Sequence, residues 1–358
     1  MTNNIKNKSL ISILLTVFRK SIIGSFSIII ILFSGFIAIF GYCIAPDSTE
    51  NANQMHITLV NKPIGFVTQI LQIPIQNAEK KNFVSSLFFG EKVHFEEIPV
   101  KQIEVKNDQI INYTTFSEEK KILQPSLHKD YLKTKTFYLG TDKYGRDFFS
   151  RLLIGTRISF FVGFIAVFIS LMVGVTLGAL AGYFGGKTDA FIMWIINIIW
   201  SIPTLLLVIA ITLALGKGFF QVFIAVGLTM WVEVARITRG QFISIKEKEF
   251  VEAGKALGFS DKRLIFNHIL PNAWSPIIVI SAANFASAIL IESGLSFLGI
   301  GAQPPTPSWG NIIKEHYAQI IVGNAHLAIA PGICIMLLVL SFMLLGNMLR
   351  DELDVKES

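Results

Sequence analysis

The stretch ISFFVGFIAVFISLMVGVTLGALAGYFGG, residues 158–186, decides what kind of protein this is. It contains no Asp, Glu, Lys or Arg. A helix needs about 20 consecutive apolar residues to cross the hydrocarbon core of a bilayer, and this stretch is longer than that. The sequence therefore predicts a membrane-spanning helix here.

Five other apolar windows repeat this pattern along the chain. They are residues 21–45, 190–216, 218–235, 273–291 and 327–349. Hydrophobic residues make up 52% of the chain and charged residues only 16%, whereas soluble domains carry about a quarter charged residues. We predict an all-α membrane protein with six transmembrane helices.

Basic residues beside the windows predict the orientation, because Lys and Arg in short loops resist translocation. The N-terminal tail carries Lys6, Lys8, Arg19 and Lys20 without an acid. The segment after the fourth window carries Arg236, Arg239, Lys246, Lys248, Lys255, Lys262 and Arg263. The opposite side holds little more than Lys217 and Lys314. We expect both termini and this segment in the cytoplasm, so the net charge of +6 reflects topology and not nucleic-acid binding.

We expect four regions along the chain. Residues 1–45 form a cytoplasmic tail and the first helix, and 46–137 form an external insertion. Residues 138–350 form a core of five transmembrane helices with a cytoplasmic loop at 236–272. Residues 351–358 form a second cytoplasmic tail.

The external insertion has the local pattern of a small β-containing subdomain. Residues 102–106 alternate polar and apolar side chains, Asn107 and Asp108 supply turn chemistry, and 109–116 are rich in β-branched and aromatic residues. This order predicts a β-hairpin. The short apolar piece Phe83–Phe89 cannot span a bilayer, and we expect it either to pack against the hairpin or to lie on the membrane surface.

The sequence offers no site for ATP hydrolysis or other enzymatic chemistry. Gly185-Gly186-Lys187-Thr188 resembles the end of a phosphate-binding loop, but Ala181 stands where that motif needs its first Gly. Such a loop also joins a strand to a helix, whereas this one lies between two apolar windows. Cys43 and Cys334 fall inside apolar windows, as small buried hydrophobes do. We expect no catalytic residue, metal site or cofactor in this chain.

The loop at 236–272 has a pattern that a simple connection does not require. At helical spacing, Phe250, Ala253, Ala256 and Leu257 share an apolar face, with acidic and basic residues off it. Gly258 stands where such a helix should end. A second short helix is predicted from 261 to 270, with Pro271 ending it because proline cannot extend the hydrogen bonding of a helix interior.

The combination Glu252-Ala253-x4-Gly258, followed downstream by Leu270-Pro271, resembles the EAA motif of binding-protein-dependent ABC importer permeases. In that family the motif forms a helix that docks on a separate ATPase subunit. The resemblance therefore implies ATPase coupling through Glu252, Ala253 and Gly258, with Leu270 and Pro271 ending the element. Gly254 replaces the usual second Ala, which weakens the helix by about 1 kcal/mol.

Further segments are similar to dipeptide and oligopeptide permeases of the OppC/DppC type. They are residues 139–147, 150–152, 292–299, 307–310 and 349–354. The resemblance covers the chain from about 139 to 354, and the first span by position. It implies a permease subunit of the plasma (inner) membrane that forms half of a pathway for dipeptides or oligopeptides. The implied partners are a second, related permease, two cytoplasmic ABC ATPases and an external solute-binding protein.

Two residues are candidates for the substrate pathway. Glu292 lies at the external end of the fifth window, where an ionisable side chain tends to face a pathway or a partner; a cap for the following turn is the other interpretation. Pro203 lies inside the third window and predicts a kink, which serves either gating or packing.

Two other functions stay open at this point. A permease of the same family for nickel or another small solute has the same sequence features. An ion-coupled secondary transporter is disfavoured, because such proteins carry ionisable residues at mid-depth and these windows have almost none.

Overall fold

The computed structural model describes residues 16–19, 21–75, 82–106, 110–116, 120–123, 132–216 and 218–354. These residues fall into two compact units, which we describe separately. The span unit takes its described residues from Met1–Ser34, Ser159–Gln303 and Ile333–Ser358. The sheet unit takes them from Gly35–Ile158 and Pro304–Gly332. The N-terminal basic residues Lys6, Lys8 and Lys20, and Lys217, lie outside the described residues.

Helices make up most of the chain. In order they are α1 (Ile22–Ile44), α2 (Phe83–Phe89), α3 (Phe148–Phe184), α4 (Gly186–Trp200), α5 (Thr204–Leu215), α6 (Phe219–Lys246), α7 (Glu249–Ala256), α8 (Asp261–Arg263), a π-helical segment (Leu264–Ile269), α9 (Leu270–Leu298), α10 (Trp309–His316) and α11 (His326–Asp354). Within the described ranges, α1, α3, α6, the run Asp261–Leu298 and α11 are each long and apolar enough to cross a membrane. With α4 and α5 as one bent pair the number reaches six, which confirms the six-span prediction.

The third predicted span is broken and not simply kinked. Helix α4 ends at Trp200, α5 begins at Thr204, and their axes differ by 90°. Pro203 is the N-cap of α5. Because proline has no N–H and disfavours helical geometry in the residue before it, a bend at this position becomes a break.

Helices α3 and α6 pack at very short distance along a row of glycines. Gly174, Gly178 and Gly182 are spaced four residues apart and so lie on one face of α3. A Cβ atom on Gly174 would lie 2.6 Å from Cβ of Val234, and one on Gly182 would lie 2.6 Å from Cβ of Phe242. Only the missing side chains allow this approach, which is the small-residue packing that membrane helices use.

The sheet unit contains a five-stranded antiparallel sheet in the order β4-β3-β2-β1-β5. Its strands are β1 (Phe66–Pro74), β2 (Phe95–Lys106), β3 (Ile110–Thr115), β4 (Lys120–Leu123) and β5 (Leu132–Phe137). The predicted hairpin is confirmed as β2 and β3, which pair from Lys106↔Ile110 to Val100↔Thr115. Its turn, with Asn107 and Asp108, lies outside the described residues.

Small hydrophobic clusters hold the sheet unit together. Leu59, Ile70 and Phe137 form one cluster, and Leu71, Val100 and Tyr113 form another. Both clusters take their residues from distant parts of the insertion. The insertion therefore folds as a packed β-containing structure between α1 and α3.

Candidate coupling site and its connections to the spans

The segment that resembles a coupling motif forms the short helix α7. The helix follows α6 directly, with Lys248 in extended conformation as its N-cap. It ends at Ala256, and Gly258 has a φ of +79°. Glycine tolerates that left-handed conformation at the end of a helix. The predicted end of this helix at Gly258 is confirmed.

The predicted apolar face of α7 points outward. Phe250 is 42% exposed and Leu257 is 74% exposed, and Ala253 and Ala256 are exposed as well. The residues that α7 buries are Val251 and Gly254. Val251 belongs to a core with Phe242, Ile245 and Leu264. The helix is therefore anchored through one edge and leaves its main apolar surface uncovered.

Gly254 has a packing role that explains its departure from the common motif. A Cβ atom at this position would lie 3.0 Å from Cδ2 of Leu264 and 3.1 Å from Cδ2 of Phe259. The glycine thus lets α7 lie directly against the chain that follows it. The side chain of Glu252, in the same turn, is exposed.

The prediction that Leu270 and Pro271 end the element is wrong. The chain stays helical from Asp261 to Leu298, and Pro271 lies in the first turn of α9. The segment Leu264–Ile269 just before it is π-helical. Proline is accepted in a first helical turn, where its missing N–H removes no α-helical bond, and π-helical turns accommodate such interruptions. The loop is thereby joined to the fifth span by a continuous helical run.

Tyr183, near the end of α3, connects the loop to two other helices. Its hydroxyl donates a hydrogen bond to Oδ1 of Asp261 over 2.5 Å. Its backbone carbonyl accepts one from Nζ of Lys246, the last residue of α6. The sequence analysis missed this residue, because a lone Tyr at the end of an apolar window carries no local signal of its partners.

A second polar contact on α6 holds α4. Arg239 donates from Nε and Nη2 to the two carboxylate oxygens of Asp189, with an Nη2–Oδ2 distance of 2.6 Å. Arg236 lies 3.6 Å from the ring centroid of Trp200 and donates to Oδ1 of Asn197. Planar, bidentate pairing of this kind fixes geometry as well as charge. Helix α6 therefore has defined polar contacts with the helices on either side of the Gly185–Gly186 turn.

The pathway candidate Glu292 is buried, with 1% of its surface exposed. Its Oε1 accepts a hydrogen bond of 2.6 Å from Ser296, and Ser159 Oγ lies 3.5 Å from its Oε2. Ser296 Oγ in turn accepts a bond from the backbone N–H of Ala302. This chain of contacts ties α9 to the turn that follows it. The capping interpretation of Glu292 fits this geometry better than direct contact with a substrate.

The other pathway candidate, Pro203, is exposed at the break between α4 and α5. A cavity of about 340 Å³ opens beside this break. Among the residues that line it are Trp200, Ile202, Thr204, Thr229, Glu233 and Ser287. The surface is mainly apolar and carries one exposed carboxylate, that of Glu233.

In the sheet unit, the segment before α3 forms a buried cluster of charged groups. Arg146 donates from Nε to Asp142 at 2.6 Å and from Nη2 to Glu315 at 2.8 Å. Arg151 adds a second guanidinium 3.6 Å from Glu315. These contacts attach the segment that carries Asp142 and Arg146 to α10.

The same cluster brings Asp142, Glu315 and His316 close enough to hold a metal ion. Two arginines already balance the two carboxylates, however, and a divalent cation would meet both guanidinium groups. Burial lowers the pKa of His316, and Nδ1 of the neutral ring lies 2.8 Å from the carbonyl of Ile312. The residues present therefore fit an ionic clamp, and they do not fit a metal centre.

Comparisons with known proteins add a family and several relatives. The family model described as "Binding-protein-dependent transport system inner membrane component" matches residues 174–354. The chain is 41% identical over 219 residues to the glutathione transport system permease protein GsiD of Pectobacterium atrosepticum, covering 61% of this chain and 72% of that protein. It is 43% identical over 219 residues to the dipeptide transport system permease protein DppC of Alkalihalophilus pseudofirmus, with the same coverage.

A third relative and one solved structure complete the comparison. The oligopeptide transport system permease protein OppC of Bacillus subtilis is 39% identical over 231 residues, covering 64% of this chain and 75% of that protein. An inward-facing structure of the MetNI methionine ABC transporter matches 56% of this chain and 95% of its own, with a TM-score of 0.47 and 18% identity.

Proposed function

The chain belongs to the family of binding-protein-dependent transport system inner membrane components, and from that premise we propose that it is the permease subunit of an ATP-driven peptide importer. It forms half of a pathway through the inner membrane and leaves ATP hydrolysis to partner subunits. Relatives named for glutathione, dipeptide and oligopeptide transport support a peptide cargo.

The observation that carries this proposal is the uncovered surface of α7. Phe250 and Leu257 expose large apolar side chains beside the acidic Glu249 and Glu252. The opposite edge of α7 is anchored on α6 and on the helix that leads into α9. A helix that presents an apolar face with charged neighbours suits a groove on a partner. This surface is where the ATPase subunit docks.

The connections of α7 determine what docking would move. Gly258 permits the turn after α7, and the continuous helix through Leu270 and Pro271 carries a displacement into the fifth span. Tyr183 joins the same segment to α3 and α6. Glu252, Ala253 and Gly258 therefore form the docking element, and Leu270 and Pro271 form part of the lever that follows it.

The remaining partners and the orientation follow from the same role. A second, related permease supplies the other half of the pathway, two ABC ATPases dock in the cytoplasm, and an external solute-binding protein delivers the peptide. Both termini and α7 then lie in the cytoplasm, and 46–137 lies outside. Pro203 shapes the wall of the pathway through the break it makes, and Glu292 supports that wall from within.

Docking is tested with two variants of α7, Leu257→Ser and Glu252→Lys. Burial of a leucine side chain is worth about 1.5–3 kcal/mol, so we expect Leu257→Ser to weaken ATPase binding by roughly 10-fold to 100-fold. Glu252→Lys reverses a charge at the same surface and should weaken binding as well. The readouts are co-purification of the ATPase subunits and peptide-stimulated ATP hydrolysis in vesicles.

The matched control is Ile321→Ser. Ile321 is 91% exposed and belongs to the sheet unit, whereas α7 belongs to the span unit, so its replacement should leave ATPase binding unchanged. Peptide transport by the chain in vesicles that lack ATPase subunits would contradict the proposal. Equal effects of Leu257→Ser and Ile321→Ser would show that α7 is not the docking element.

A further inference from the structure

Helix α2 of the sheet unit is built with its apolar side chains outward. Its sequence is FVSSLFF, and Phe83 and Phe89 are 75% and 64% exposed. Val84 and Phe88 are exposed too, whereas Ser85 and Ser86 are half-buried against the unit. A helix on a water-exposed surface shows the reverse arrangement, with polar residues outward. The pattern fits a helix whose outer environment is apolar.

The place of α2 in the sheet unit is set by Arg157 on α3 and by Tyr42 at the end of the first span. Arg157 donates from Nη1 to the carbonyl of Leu87 at 3.2 Å. The guanidinium of Arg157 also lies 4.8 Å from the ring centroid of Tyr42 and 5.8 Å from that of Phe88. A Cβ atom on Gly90 would lie 2.7 Å from the Tyr42 ring. Helix α2 therefore lies beside the last turn of α1.

That last turn marks the edge of the bilayer. Helix α1 has 23 residues, which gives a length of about 34 Å against a hydrocarbon core of about 30 Å. Near this end Phe40 and Ile44 are exposed, as expected of apolar side chains on a helix long and apolar enough to cross a membrane. Because Gly90, the C-cap of α2, lies against Tyr42, the exposed phenylalanines of α2 extend the exposed apolar surface of α1 to the level expected for the headgroups.

We propose that α2 is an interfacial membrane anchor, which holds the external insertion against the phospholipid surface at the end of the first span. The occupant of its apolar face is the boundary between headgroups and acyl chains. Aromatic side chains are well suited to this depth. The inference rests on α1 crossing the membrane and is independent of cargo and of ATPase coupling.

Accessibility of spin labels tests the proposal on the full chain. In a variant with Cys43→Ala and Cys334→Ala, single cysteines are introduced as Phe83→Cys, Phe89→Cys or Lys101→Cys and labelled with a nitroxide. Lys101 is the control, because it is exposed on β2. It lies six residues after Phe95, the first residue of β2, and so about 20 Å along the strand from that end. The protein is reconstituted into vesicles of phosphatidylethanolamine and phosphatidylglycerol.

Lipid-soluble oxygen and a water-soluble nickel chelate are then compared as relaxing agents. For each label we compare the rate of collision with oxygen with the rate of collision with the nickel chelate. We expect this ratio to be several-fold higher for the labels at 83 and 89 than for the label at 101. Labels at 83 and 89 that react mainly with the nickel chelate would place α2 in water and overturn the proposal. Labels shielded from both agents would show that protein covers α2, which overturns it as well.

Discussion

Single glycines decide how closely the helices of the span unit approach each other. Gly174, Gly178 and Gly182 form one face of α3, and each would direct a side chain into α6. The four-residue spacing is visible in the sequence as GVTLGALAG, a known signature of close helix packing in membranes.

Gly178→Ala tests this packing. The new Cβ would clash with the carbonyl of Ala235 and would lie 2.8 Å from Cβ of Thr238. Overpacking of this kind costs about 1–3 kcal/mol, so we expect a lower temperature of unfolding in detergent. Gly240→Ala in α6 is the matched control, because nothing lies within 4 Å of its added Cβ and alanine favours a helix by about 1 kcal/mol. Equal melting temperatures for the two variants would contradict the packing role of Gly178.

At the scale of elements, the local sequence pattern predicted those features that depend on only a few neighbouring residues. The apolar windows, the end of α7 at Gly258 and the hairpin of β2 and β3 all follow from spacing within a few residues. The continuation of the helix through Pro271 does not, because a π-helical turn at Leu264–Ile269 depends on how that segment packs. The break at Pro203 also exceeds what local pattern predicts, because a proline indicates a kink but not the 90° angle between the axes of α4 and α5.

The rest of the sheet could not be read from local pattern. Strand β1 pairs with β2 on one side and with β5 on the other, and β5 lies more than fifty residues further along the chain. Such pairing is decided by hydrophobic contacts between distant segments, such as the cluster of Leu59, Ile70 and Phe137. Similarly, no local feature at Tyr183 indicates that Asp261 is its partner.

Tyr183→Phe tests whether the connection between these elements carries coupling. The variant keeps the buried ring and removes the hydroxyl that donates to Asp261. A hydrogen bond to a charged group is worth about 1.5–3 kcal/mol, so peptide-stimulated ATP hydrolysis should fall by roughly tenfold. Binding of the ATPase subunits should remain, since α7 is untouched.

Tyr138→Phe is the control for that measurement, because Tyr138 is exposed and belongs to the sheet unit. If Tyr183→Phe and Tyr138→Phe both leave stimulated hydrolysis at the wild-type level, the hydroxyl of Tyr183 has no part in coupling. Loss of ATPase binding in Tyr183→Phe would instead mean that the contact is needed to form the docking surface.

At the scale of the whole molecule, the two units are held together by different kinds of contact. The span unit is built mainly from long apolar helices that pack closely against each other. The sheet unit is held by polar contacts between strands as well as by its small cores. One of these contacts is at Glu97 on β2, whose carboxylate accepts from Lys135 Nζ at 2.8 Å and from Gln72 Nε2 at 2.9 Å.

Glu97 therefore makes the sheet unit sensitive to acid. Burial opposes its ionisation, but His56, with Nε2 at 3.2 Å, and the contacts with Lys135 and Gln72 outweigh burial and lower the pKa of Glu97 to about 2. A carboxyl group whose pKa is lower in the folded state than in the unfolded state stabilises the folded state at high pH. The stabilisation is complete above the usual Glu pKa of 4.5 and is lost as pH falls from there towards 2.

Glu97→Gln should remove this dependence on pH. The lowered pKa corresponds to roughly 3 kcal/mol of stability at neutral pH, of which roughly 2 kcal/mol is lost by about pH 3. Hydrogen exchange of β1 and β2 should therefore show a large gap in stability between wild type and variant at about pH 6 and a smaller gap at about pH 3. Glu96→Gln, on the exposed neighbour, controls for the removal of one negative charge. A gap of constant size at both pH values would contradict a role for the ionised Glu97, because only a group whose pKa changes on folding can make stability depend on pH.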